Sequence, residues 1–209
     1  MLTLNQDELF ENLKAENTAR VKQLIENDPS LLNAKHKTGA TGILFALYSG
    51  HQELAELLAQ RKHDLDIFEA ASLGKMDQVR ALVKRDMELV NAYSPEGFTA
   101  LQLSAYLGQK EAVDFLLKAG TNVNAIARNS SGYTALSGSV SRAHRSIAET
   151  LLADGANVNH RYEGGFSPLM EAAASGNLEI TKLLLAHGRP ASTHGRWKNG
   201  PYLCCGKRT

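Results

Sequence analysis

Cysteine is nearly absent: Cys204 and Cys205, adjacent near the end of the 209-residue chain, are its only two. Such a pair is neither a disulfide framework nor a metal-ligand spacing, and neighbouring cysteines rarely bond to each other. Long apolar runs are missing as well. The longest, Ile43 to Tyr48, is far too short to span a bilayer. Excess charge of either sign is missing, for a net charge of +1 gives no bulk pull towards nucleic acid or anionic membrane. Neither is therefore expected as a partner. The N-terminal stretch Met1 to Glu8 has no basic region and no apolar core, so it does not read as a secretory signal and the expected location is the cytoplasm. Enzyme signatures are wanting too: no G-x-S-x-G elbow, no phosphate-binding lysine loop and no dinucleotide G-x-G-x-x-G. The chain is expected to be no enzyme and to carry no cofactor. With 43% hydrophobic and 22% charged residues it nevertheless has the makings of a folded protein.

What is present is a repeat. Gly, any residue, Thr or Ser, a small residue or Pro, then Leu occurs at Gly97-Phe98-Thr99-Ala100-Leu101, Gly132-Tyr133-Thr134-Ala135-Leu136 and Gly165-Phe166-Ser167-Pro168-Leu169. The glycines are 35 and then 33 residues apart. A damaged copy stands at Gly39-Ala40-Thr41-Gly42-Ile43. An amphipathic stretch with paired leucines follows each clear copy: Val113 with Leu116-Leu117, Ile147 with Leu151-Leu152, and Ile180 with Leu183-Leu184. After the first two comes Asn-Val-Asn, at Asn122 to Asn124 and Asn157 to Asn159.

Each mark has a physical meaning. Thr or Ser before the apolar run is a helix N-cap, its oxygen accepting from an amide with no helical partner. Pro168 suits the first helical position, where its lost N–H is not needed. Gly108 and Gly176 break the chain between two helices. Gly120, Gly155 and Gly188 are expected to end the second helix in a left-handed conformation. Two helices this short cannot bury their apolar stripes alone, but stacked neighbours can.

The stretches Gly97 to Leu117 and Gly165 to Leu185 closely resemble the ankyrin repeat, with its G-x-T-P-L-H and A-A-x-x-G-H-x-E marks. Ala172 to Glu179 fits the second mark, with Asn177 where His is usual. The resemblance implies an all-α solenoid of stacked helix–turn–helix units joined by short β-hairpin loops. Six units are expected over residues 1–188. The first lacks the Gly-x-Thr opening and reads as a cap. In the third the hairpin is missing, since Gly50 and Gly74 are only 24 apart and Asp64 to Ala71 leads straight into a helix that Asp66 can cap. Unit five is weak, because Ser137-Gly138-Ser139-Val140-Ser141 replaces an alanine-rich helix.

Residues 189–209 lack an amphipathic period and read as an irregular tail or a disrupted further repeat. Displaced by one nucleotide, the codons for Trp197 to Thr209 must begin with Gly, must give Ala or Val where the two cysteines stand, and can read Thr-Ala-Leu-Ile-Cys-Ala-Ala-Glu-Lys-Gly from Asn199 onward. That is the opening of another ankyrin repeat.

The resemblance implies a non-catalytic module that binds a protein partner through hairpin tips and the concave face of the first helices. Phe98, Tyr133 and Phe166 fall near the hairpins. Tyr48 and Tyr106 fall two residues before the inter-helix glycine, Ser141 and its neighbour Arg142 occupy the same place in unit five, and Arg161 and Tyr162 lie at a tip. Aromatic and Arg residues are favoured interface anchors, so Tyr48, Phe98, Tyr106, Tyr133, Arg142, Arg161, Tyr162 and Phe166 are the candidate binding strip. The opposing reading packs the rings between neighbouring hairpins. A second functional reading, a self-associating module that completes a larger array, rests on the abrupt end of the pattern after Gly188. His51 and His144 occupy the family's Gly-His position, where histidine is structural, and no histidine pair has metal-site spacing. Glu69, Glu111, Glu149 and Glu179 are read as solvated helix charges.

Overall fold

The computed structural model describes residues 4–188. Twelve α-helices are found among them, paired into six helix–turn–helix units. Unit one holds α1 (Leu4–Lys14) and α2 (Thr18–Asn27); unit two, α3 (Gly42–Tyr48) and α4 (Gln52–Arg61); unit three, α5 (Ile67–Leu73) and α6 (Met76–Arg85). Unit four holds α7 (Ala100–Leu107) and α8 (Lys110–Lys118); unit five, α9 (Ala135–Ser141) and α10 (Arg145–Ala153); unit six, α11 (Pro168–Ala174) and α12 (Leu178–His187). Helix stacks on helix along one axis. No strand forms among the described residues, and none of the helices is long and apolar enough to cross a membrane.

The caps start the first helices where the sequence pattern puts them. Thr41, Thr99, Thr134 and Ser167 each accept from the amide three residues on. Asp66 does the same for unit three, accepting from the Glu69 amide. The stripes close into one continuous core whose fully buried members include Leu9, Ile43, Leu101, Leu136, Ile147, Ile180 and Leu184. At Gly108, φ is +81° and an added Cβ would lie 2.8 Å from the His144 ring. Glycine there lets a histidine lean on the backbone and reach the Tyr106 carbonyl at 3.1 Å. His51 reaches back in the same way to the Lys14 carbonyl at 3.2 Å. In unit five this glycine is replaced by Ala143, held at φ +59°. One expectation fails: Gly188 ends α12 with φ −82°, not left-handed.

The fingers between units are closed by backbone bonds of 2.8 to 3.0 Å from His36 to Ala40, Ser94 to Phe98, Ala127 to Tyr133 and Tyr162 to Phe166. Only isolated bridges, Lys35 with Thr41 and Tyr93 with Thr99, give them β character. No such turn joins α4 to α5, where Lys62 to Asp66 runs directly from one helix into the next. The fingers of units two and four consequently meet across the gap. A Cβ on Gly39 would stand 3.0 Å from the Pro95 backbone.

The gap is plugged by charge. Both oxygens of Glu69 lie 2.8 Å from Lys62 Nζ, and one also accepts from the Asp66 amide at 3.2 Å. Glu69 is 0% exposed, which corrects its reading as a solvated charge. Its position in a capping box turns it inwards, and Lys62 supplies the counter-charge that burial demands. Burial, followed by the nearby Glu69 charge, raises the Asp66 carboxyl above its ordinary value. Glu111 and Glu179 are exposed and Glu149 is half-buried, and each is paired to an arginine.

Candidate functional site

A cavity of about 440 Å³ opens where the first helices meet the fingers of units four and five. Tyr48 of α3, Leu103 and Tyr106 of α7, and Gly138, Ser141 and Arg142 of α9 and its C-terminal cap line it, with Phe98 and Tyr133 from the finger bases. Gly138 and Ser141 occupy, 35 residues on, the places of Leu103 and Tyr106 in unit four. The hollow exists because those two side chains are small. A Cβ on Gly138 would already touch the Tyr106 Cβ at 3.4 Å.

Tyr48 and Tyr106 meet edge to face, with centroids 6.1 Å apart at 79°. They belong to units two and four. The equivalent residue of unit three is Ser72, whose small side chain lets the rings reach each other. The Tyr48 hydroxyl donates to Glu96 Oε2 at 3.1 Å, again across the missing finger. Burial pushes the Glu96 carboxyl up to about 7, although the Tyr48 hydrogen bond pulls it the other way. The Tyr48 hydroxyl is itself raised by burial and then by the Glu96 charge, so it stays protonated and remains the donor.

Arg142 is exposed and lies over the Tyr106 ring, 5.0 Å from the centroid. It makes no ion pair among the described residues. A second hollow, lined by Leu47, Gly50, Tyr106, Arg142 and His144, adjoins the first, so Arg142 stands between the two. Gln102 forms part of the floor. It accepts from the Thr99 amide at 2.8 Å and donates to the Ala125 and Tyr133 carbonyls at 2.8 and 3.0 Å. One side chain thus caps α7 and pins the finger of unit five.

Five of the eight candidate residues come together here: Tyr48, Phe98, Tyr106, Tyr133 and Arg142. Tyr162 is only 8% exposed; it stacks on Tyr133 at 4.8 Å and donates to Glu171, a packing role between fingers. Phe166 is 49% exposed and stands apart in unit six. Arg161 is bonded to the Gly165 carbonyl at 2.8 Å at the outer tip. Sequence reasoning missed Gln102 and Glu96. Gln102 fills the place of the histidine in T-P-L-H, a signal that was available. No local pattern marks Glu96, which gains its partner from a residue 48 positions away.

A family model of ankyrin repeats (three copies) matches residues 67–162 and 127–194. The chain belongs to the ankyrin-repeat family. It is 33% identical over 128 residues to the mouse (Mus musculus) ankyrin repeat and SAM domain-containing protein 6, covering 61% of this chain and 12% of that protein. It is 42% identical over 93 residues to the human (Homo sapiens) BCL-6 corepressor-like protein 1, covering 44% of this chain and 5% of the relative. The chain spans only a small part of these curated relatives. A solved ankyrin repeat domain from Acinetobacter baumannii AYE superposes with a TM-score of 0.55 at 28% identity, over 87% of this chain and 97% of that one. Ankyrin repeats are in general protein–protein interaction modules, and the fold is typically non-catalytic.

Proposed function

We propose that this array is a binding module without a catalytic step, gripping a folded protein partner where the first helices meet the fingers of units four and five. The observation that carries the proposal is the cavity of about 440 Å³ with an aromatic wall and an exposed Arg142 that has no carboxylate partner among the described residues. Tyr48, Tyr106, Phe98 and Tyr133 form the apolar wall, and Arg142 forms the charged lip. Such a site takes a large apolar or aromatic side chain with a carboxylate beside it. Its walls are already held in place by Gln102, Glu96 and the stacked helices, so little ordering cost opposes association. Aromatic anchors and an arginine are the residue types that dominate binding energy at interfaces. Phe166 and Arg161 lie outside this cavity and extend the contact at the tips; Tyr162 supports Tyr133 from behind.

The test is selection from a library of randomised loops displayed on a small folded scaffold. Enriched loops are expected to pair an aromatic or large aliphatic residue with Asp or Glu. Their affinity should fall at least about tenfold, or ~1.4 kcal/mol, in folded Arg142→Glu and Tyr106→Ala variants. Loops that bind both variants as well as the parent would place the interaction elsewhere and defeat the proposal.

A further inference from the structure

Among the described residues, nothing packs on the far side of unit six. The equivalent positions can be followed through three units. In unit four they are Leu101, Gln102, Ala105 and Val113, all buried against unit five; in unit five they are Leu136, Ser137, Val140 and Ala148, all buried against unit six. In unit six they are Leu169, Met170, Ala173 and Thr181, of which Met170 is 44% exposed and none is buried. Leu185, next along α12, is 48% exposed, whereas its unit-five counterpart Leu152 is 7% exposed. With Phe166 and Leu178, at 49% and 60%, these side chains make an apolar end of the kind that soluble proteins keep covered.

The chain also contains an account of what covers it. Codon degeneracy restricts the translation one nucleotide downstream from Trp197. Trp197 with Lys198 can give only Gly; Lys198 with Asn199, only Lys or Arg; Asn199 with Gly200, only Thr or Met. Ala is one of four residues allowed next, Leu one of four after it. Cys204 with Cys205, and Cys205 with Gly206, each give only Ala or Val. These two forced small residues fall seven and eight places after the forced Gly. Ala172 and Ala173 stand at those places in unit six, Ser104 and Ala105 in unit four. Ala46, Ser104, Ser139 and Ala172, each 0% exposed, fill the seventh place with small side chains only; the eighth takes Leu47, Ala105, Val140 and Ala173, small to medium apolar residues. Gly is allowed eleven places after the forced Gly, as Gly176 follows Gly165 and Gly108 follows Gly97. The spacing from Gly165 to the forced Gly is 32 residues if one nucleotide has been gained and 33 if two have been lost; Gly132 to Gly165 is 33.

We infer that the open face of unit six is the seat of a seventh ankyrin repeat, whose code lies one nucleotide out of frame beyond Gly188. Residues 197–209 lie outside the described residues, and the inference rests on the exposed face and on codon constraint. It is independent of the binding site proposed above. The repeat would lay a first helix over Leu169, Met170 and Ala173 and a second over Thr181 and Leu185, as units five and six do to their predecessors.

Two measurements decide it. The first is the coding DNA from Arg189 onward, which should read Gly-Lys/Arg-Thr-Ala-Leu in the offset frame, with Gly eleven residues after the first. Met, or Pro, His or Arg in place of Leu, would overturn the inference. The second compares the present chain with one carrying the offset-frame translation through a complete seventh unit. The completed chain should unfold at a temperature several degrees higher and lose most of its binding of a hydrophobic fluorescent dye. The same dye signal and the same midpoint in both chains would also overturn it. A chain carrying the extension with every one of its leucines changed to alanine should keep the dye binding, which separates a docked repeat from an added tail.

Discussion

Replacing Lys62 by Met removes the counter-charge that stands where unit three has no finger. Glu69 is 0% exposed and Lys62 is 12% exposed in its side chain, so water solvates neither group well. Without the ammonium, the carboxylate keeps only the Asp66 amide as a donor among the described residues. Removing one member of a buried pair typically costs about 3–5 kcal/mol, because a charge is left uncompensated. An exposed pair of the same geometry would cost about 0–1 kcal/mol. The two cases are therefore separable by equilibrium unfolding in urea. The discriminating partner is the double variant Lys62→Met with Glu69→Gln. Its neutral amide still accepts from Asp66 but needs no cation, so most of the loss should return. The pair joins α4 to α5, and repeat arrays are stabilised unit by unit through such interfaces. A broadened transition in the single variant is also expected, with units one and two unfolding apart from the rest. A single-variant loss below about 1 kcal/mol, or a double variant no more stable than the single, would refute the assignment of this pair as a buried plug.

Other outcomes follow from the same structure. Ala143 sits at φ +59°, where a side chain costs roughly 1–2 kcal/mol, so Ala143→Gly should stabilise the chain by about 1 kcal/mol in urea titrations; a destabilisation would show that the strain is absent. The Glu96 carboxyl, raised from its ordinary 4.5 to about 7, is more easily protonated folded than unfolded. Stability should therefore fall as pH rises between about 4.5 and 7, and the slope should shrink in Glu96→Gln; equal slopes in the two proteins would count against the burial of that carboxyl. Amides of α9, from Gly138 to Arg142, should exchange with deuterium faster than those of α7 from Leu103 to Leu107, since Gly and Ser are poorer helix formers than Ala by roughly 0.5–1 kcal/mol per residue; equal protection would mean that packing alone decides.

The helix pairs were legible because capping and periodicity are local. Thr99 and Thr134 announce a helix start within three residues, and Leu116 with Val113 announces the buried stripe of α8. The Asn-Val-Asn mark was legible as a spacing but not as a ladder. Asn91 accepts from the Asn122 amide, and Asn124 accepts from the Asn157 amide at 2.7 Å, bonds that exist only once the units are stacked. Glu69 misled for a related reason: its charge makes it look solvated, but its capping-box place turns it inwards like Gln102 and Ser137, and the short joint from α4 brings Lys62 to meet it. The cavity was half legible. Its aromatic positions could be lined up by register, whereas the contact between Tyr48 and Glu96 depends on a finger that is not there.

That dependence explains why the candidate site lies where the repeat is least regular. A full finger in unit three would stand between Gly39 and Pro95 and keep Tyr48 from Glu96. A tyrosine at Ser72 would separate Tyr48 from Tyr106. A leucine at Gly138 and a tyrosine at Ser141, as in unit four, would fill the hollow beneath Arg142. Each departure weakens the array locally: a lost turn, a buried Ser72 hydroxyl without a hydrogen-bond partner among the described residues, a glycine inside a helix at about 1 kcal/mol relative to alanine. Stability in a solenoid is approximately a sum over units and their interfaces, so regular neighbours can carry units that are individually poor. Gln102 shows how the support is delivered, because the side chain that caps the regular α7 through one bond also holds the finger of unit five against it through two more. The regular marks account for the stack, and the deviations from them account for the hollow.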